Sequence, residues 1–188
     1  MKGKVVLTLL LVVVLALTVT ASAFAKGGNV QKYRATLEPL NDSGVTGMAV
    51  ITRIPGQLKV SLWAYGVAPH KVHPQYICGF TDGSQAKVPT AADDTNGDGF
   101  VDFAEALSST GPVLLALEPF PTAKKPSFVV FTRVYRGAQF KKLMLDDVPL
   151  NKRVVMVSGG YWTPVYGMPE YSETLPVAAG KIVGPTRR

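Results

Sequence analysis

The chain has 188 residues, with 20 Lys+Arg against 13 Asp+Glu, for a net charge of +7. An apolar content of 47%, with one long apolar run at the start, excludes a disordered tail and a multi-span membrane protein. A single cysteine, Cys78, excludes an intramolecular disulfide, so stability must come from a core or a bound ion.

Residues 1–25 stand apart. Lys2 and Lys4 open the segment, Val5–Val19 is apolar, and Ala23-Phe24-Ala25 closes it. That is the pattern of a cleavable secretory signal, and the run is too short and interrupted for a membrane span. The expected product is residues 26–188: one domain, without a membrane span, that is periplasmic, cell-surface or extracellular. Asn41-Asp42-Ser43 is a glycosylation sequon for a host that uses such sites.

Short β-rich runs follow, separated by Pro and Gly. Strands are predicted at 33–38, 45–54, 57–66, 75–80, 113–117, 127–135, 153–158 and 174–183. Pro55-Gly56 reads as the turn of a hairpin. In the third run Leu58, Val60, Leu62 and Ala64 share one face, while Lys59, Ser61, Trp63 and Tyr65 share the other. Eight such runs and almost no helical periodicity predict an all-β fold, an antiparallel Greek-key sandwich or barrel. One short helix is predicted over 101–109, stopped by Gly111-Pro112.

His70, His73 and Cys78 lie within nine residues. One reading is a soft site for copper or zinc; the other is a loop with two surface histidines and a buried, hydrophobe-like cysteine. Tyr76 and Cys78 should share a strand face. Later, Tyr161, Trp162, Tyr166 and Tyr171 sit with Pro164, Gly167 and Pro169. They read either as a sticky platform or as a long loop folded over one end of the sandwich. The basic doublets Lys124-Lys125, Lys141-Lys142, Lys152-Arg153 and Arg187-Arg188 read as solvated surface. No nucleic-acid module and no nucleophile–base constellation appears.

Residues 94–105 read Asp-Thr-Asn-Gly-Asp-Gly-Phe-Val-Asp-Phe-Ala-Glu. They fit a twelve-residue EF-hand calcium loop at every diagnostic position. Asp94, Asn96 and Asp98 fall at positions 1, 3 and 5, and Gly99 falls at the sharp turn. Phe100 offers its carbonyl, Asp102 can act through water, and Glu105 can bind with both oxygens. Val101 is the apolar anchor. Calcium wants six to eight hard oxygens, which alternate residues of a tight loop can aim inward. Asp93, Asp94, Asp98, Asp102 and Glu105 are five of the 13 acids, and they would repel one another without a cation. The competing reading is an acidic, turn-rich surface loop. No entering helix and no second loop are predicted, so binding should be weak, about 10⁻⁴ to 10⁻³ M, as in extracellular modules.

Several segments in order also carry a family pattern. They are Tyr33–Leu37, Gly47–Val50, Leu58–Leu62, His73–Phe80, Asp94–Glu105, Gly111–Leu115, Lys152–Gly160 and Leu175–Ile182. Together they resemble the bacterial CHRD-like domains, related in pattern to the copper–zinc superoxide dismutase sandwich. The resemblance spans residues 31–184 and implies that fold, with the calcium loop inserted at about 82–111. The family commonly has His-x-His where this chain has Tyr76-Ile77-Cys78. It often has His where this chain has Ser158, and Cys where it has Ala179. Two histidines cannot rebuild a redox copper site held by imidazoles. The expectation is therefore a calcium-binding, non-catalytic structural or binding module without superoxide dismutase activity. Its expected partner class is an envelope polymer or surface protein, and its expected state is a monomer. The alternative is a metal carrier or redox enzyme using His70, His73 and Cys78.

Overall fold

The computed structural model describes residues 30–124, 126–163 and 167–185. The signal segment, Lys125, Pro164, Tyr166 and Arg187-Arg188 lie outside the described residues. The chain divides into two units, residues 1–30 and 31–188, and the second holds all the elements below.

Alternation builds the first half. The strands β1 (Gln31–Pro39), β2 (Thr46–Ile54) and β3 (Gln57–Tyr65) form an antiparallel meander. The β2–β3 turn is the two-residue Pro55-Gly56, with Gly56 at φ +74°, and it pairs Ile54 with Gln57. In β3 every second residue from Leu58 to Ala64 is fully buried, as the sequence pattern predicts. After β4 (Gln75–Cys78) and β5 (Val113–Ala116), β6 (Phe128–Arg136) returns to lie beside β3. The long strands β7 (Val154–Trp162) and β8 (Glu170–Lys181) complete the sheet. The spatial order is β5-β4-β7-β8-β1-β2-β3-β6, one curled antiparallel sheet whose first core lies inside the curl. All eight predicted strands are present among the described residues. Three connections, β3 to β4, β5 to β6 and β6 to β7, join strands that are not neighbours in the sheet, which gives the Greek-key character.

The second half is built differently. In β7 every residue from Val154 to Gly160 is buried. Val155 and Val157 join the inner core with Ile77, Ile182 and Leu62. Val154 and Met156 face the other way, into a second cluster with Leu40, Cys78, Ala86, Val101, Ala106 and Ala179. That cluster is roofed by the segment between β4 and β5, which holds the candidate calcium loop. A strand buried on both faces loses its alternation and reads as a continuous apolar run, as Val154-Val155-Met156-Val157 does.

Three expectations are corrected. The helix spans Phe103–Thr110 (α1), two residues later at its start, because Asp102 is its N-cap and not part of its first turn. The segment after Ser158 is no long loop up to Trp162: β7 continues through Gly159-Gly160, and Tyr161 pairs with Tyr171. Gly159 makes this possible at φ +104°, with a register shift; a Cβ there would collide with the Tyr171 hydroxyl and come within 2.8 Å of His73 Nδ1. Arg153, read as solvated, is fully buried. Its guanidinium donates to the carbonyls of Leu143 and Val148, and burial lowers its pKa to about 10. A second short helix, α2 (Gly137–Lys141), carries Lys141 on the surface. Among the described residues no helix is long and apolar enough to cross a membrane.

Candidate metal centre

The loop 94–105 starts from a 3-10 turn, Ala91–Asp93, in place of an entering helix. Thr90 caps that turn, and the Asp93 carboxylate accepts the Thr90 amide at 2.7 Å and the Ser109 hydroxyl at 2.6 Å. Burial opposes ionisation of Asp93, but the hydroxyls of Ser109, Ser108 and Thr90 and the Thr90 amide outweigh it, and its pKa is lowered. Asp93 thus ties the start of the loop to the end of α1.

Within the loop the side chains of Asp94, Asn96 and Asp98 fold back onto later backbone N–H groups. Asp94 accepts from Gly97 at 2.8 Å with Oδ1 and from Gly99 at 2.9 Å with Oδ2. Asn96 Oδ1 accepts from Asp98 at 2.8 Å, and Asp98 Oδ1 accepts from Phe100 at 2.9 Å. Such side-chain-to-backbone turns are what Asp and Asn favour outside helices. Gly99 sits at φ +88°, a conformation strained for residues with a Cβ.

Asp102 and Glu105 cap α1 reciprocally. The Glu105 amide donates to Asp102 Oδ1 at 2.9 Å, and the Asp102 amide donates to Glu105 Oε2 at 2.9 Å. Glu105 Oε1 also accepts from the Thr95 amide and hydroxyl, both at 2.9 Å, and from the Asn96 amide at 3.1 Å. The Asp102 amide is the largest cause holding the Glu105 pKa below the usual carboxylate range; burial opposes it, and the Thr95 and Asn96 donors add to the lowering. Glu105 is therefore ionised, closed over the loop entrance and hydrogen-bonded to positions 2, 3 and 9.

The donor set is all oxygen, which fits a hard cation such as calcium. The side chains are spent on backbone amides of the loop. Among the described residues no three His, Cys, Asp or Glu side chains are gathered as a metal-holding group.

Sequence reasoning missed the residue that fixes this loop to the sheet. Asn41, in the β1–β2 turn, accepts the Val101 amide at 2.8 Å and donates to the Val101 carbonyl at 3.0 Å. Its side-chain amide thus makes the bond pair of a β-bridge with position 8. It also donates to the Pro176 carbonyl at 2.9 Å. Both hydrogens of Nδ2 are used, so in the folded chain the sequon nitrogen is committed to the fold. No local pattern could show this, because the partner is 60 residues away. Thr90-x-x-Asp93, by contrast, is a capping pattern legible in the sequence.

The three residues of the alternative site go to different places. His70 is exposed on a turn at φ +61°. His73 is fully buried, with Nε2 2.9 Å from the Ala68 carbonyl and Nδ1 3.3 Å from the Ser158 carbonyl. Both partners are carbonyl oxygens, which only accept. Cys78 lies in the cluster beneath the loop, on the same face as Tyr76, and burial pushes its thiol up to about 12. Tyr171 packs edge-on against His73 and Tyr161, and its hydroxyl donates to the Val72 carbonyl. That side chain is packed down, while Tyr161 stays exposed.

Compared with known proteins, the chain matches no family model and no curated protein sequence.

Proposed function

We propose that this chain is an exported, non-catalytic β-sandwich module whose inserted loop is clamped by one calcium ion. The observation that carries the reading is the loop itself. Asp94, Asn96, Asp98, Asp102 and Glu105 stand at the spacing of calcium ligands and each accepts backbone amides of the loop around a left-handed Gly99, and Val101 is anchored from outside by Asn41. These side chains and the Phe100 carbonyl would hold the ion. Calcium supplies the positive charge that lets five clustered acids sit together.

Calcium outside cells is abundant enough to fill a weak site, which agrees with the signal-like residues 1–25. The curled antiparallel sheet is the architecture that the CHRD-like resemblance implies. Tyr76, Cys78, Ser158 and Ala179 depart from that family's pattern where a redox metal or a disulfide would need other residues. On this reading the module does not dismutate superoxide, and its partner is a polymer or protein of the cell envelope.

The test is a melting curve on chelator-treated protein. Millimolar calcium acting on a Kd near 0.1 mM stabilises by about 1.4 kcal/mol. Glu105→Gln, which removes the anionic bidentate ligand, abolishes most of that gain. A melting temperature indifferent to calcium overturns the reading.

A further inference from the structure

The outer face of β1, β2, β3 and β6 carries side chains in rows across the sheet. Thr36, Met48, Trp63 and Val130 are successive register partners, and the next row runs Thr46, Tyr65, Phe128. In the other direction the rows are Arg34, Val50, Ser61, Thr132 and then Lys32, Thr52, Lys59, Val134. Met48, Tyr65 and Val130 are 40%, 56% and 51% exposed, where an antiparallel sheet open to water ordinarily carries polar side chains. A groove of about 610 Å³ opens at this aromatic end, lined by Thr36, Glu38, Thr46, Met48, Trp63 and Tyr65.

Charge on the face is one-sided and displaced from the aromatics. Arg34, Lys59 and Arg136 are exposed cations on it, with Lys32 beside them, against the single carboxylate of Glu38. Neither Arg34 nor Lys59 is in an ion pair among the described residues. Rows two residues apart are separated by about 7 Å, so the cations begin one to two rows from Trp63.

The geometry points to an acidic polysaccharide as the ligand of this face, with sugar rings on Trp63 and Tyr65 and uronate groups further along the chain on Arg34 and Lys59. The C–H face of a pyranose is apolar and slightly positive, and an aromatic face is its electrostatic complement. The hydroxyls of Thr36 and Thr46 and the carboxylate of Glu38 surround the rings with partners for sugar hydroxyls. A single-stranded nucleic acid fits less well. Each base there brings a phosphate, so cations should interleave with the aromatics, whereas here the nearest charge to the groove is Glu38. A bilayer fits less well too, because a pleated face with a groove presents no protruding apolar tip to bury among lipid chains.

The inference does not depend on calcium, and its test is run in chelator so that the two readings fail separately. Calorimetry with a hexameric oligogalacturonate measures binding, with its methyl ester, oligo-dT and phosphatidylglycerol vesicles in parallel. The free hexamer binds, more weakly as salt rises, and the ester binds less well. Trp63→Ala weakens binding about tenfold or more, and Arg34→Glu with Lys59→Glu removes most of it. Lys141→Ala, a surface cation on α2, leaves it unchanged. Should Trp63→Ala melt abnormally, Tyr65→Ala serves in its place. No binding of the hexamer, affinity indifferent to the aromatic substitutions, or tighter binding of oligo-dT or vesicles overturns the proposal.

Discussion

β3 and β7 are both nine-residue central strands, yet they are built for different surroundings. β3 alternates, with a buried face toward the core and an outer face toward water. β7 is buried for seven residues: the segment between β4 and β5 covers Val154 and Met156, and His73 and Tyr171 cover Gly159. The difference shows where the insertion draws its support. The candidate calcium loop is no appendage on a finished sandwich. Val101 and Ala106 from the loop and α1 share one apolar cluster with Val154, Met156 and Cys78, so loop order and sheet stability are coupled.

Substitutions on the two faces should expose that coupling. Met156→Ala removes a fully buried side chain from under the loop; the expected cost in denaturant unfolding is about 2–5 kcal/mol. Val130→Ala, on the solvated face, should change stability by no more than about 0.5 kcal/mol. Similar losses at both positions would break the comparison. Asn41→Ala comes next. It strips partners from the Val101 amide and carbonyl and from Pro176, at an expected cost of about 1–3 kcal/mol. It should also raise proteolytic cleavage within residues 94–105, and unchanged cleavage would mean that the loop holds itself.

Acid should act on the roofed half. The pKa values of Glu105 and Asp93 are both lowered in the fold. The unfolded chain therefore binds protons at higher pH than the native one. Their contribution is present above the ordinary carboxylate range, about 4, and is lost as pH falls through the lower folded values. In calcium-free buffer Glu105→Gln should flatten that acid limb, read as melting temperature against pH. The smallest effect concerns Cys78, whose thiol burial pushes up to about 12. A maleimide should label it only after unfolding, and labelling of native protein at the same rate would show that the roof opens freely.

The meander and its hairpin were legible in the sequence because each is encoded locally: alternation in 57–65 and the turn pair Pro55-Gly56. What escaped was encoded by contact. Gly159-Gly160 looks like a turn, but it is a bulge made necessary by His73 and the Tyr171 hydroxyl overhead. Lys152-Arg153 looks like a surface doublet, yet Arg153 is drawn inside by carbonyls from the α2–β7 connection. Asn41 looks like a sugar acceptor, but it serves as a bridge to Val101. His70, His73 and Cys78 are neighbours in sequence, but the turn before β4 and the strand's own alternation send them to three environments.

The central claim is that residues 94–105 hold calcium, and equilibrium dialysis of the chelator-stripped protein against the radioactive ion tests it most directly. The account predicts one ion per chain with a Kd of about 10⁻⁴ to 10⁻³ M, weakened at least about tenfold by Glu105→Gln and left intact by His73→Ala. No binding at millimolar calcium, or binding that survives Glu105→Gln unchanged, would contradict it.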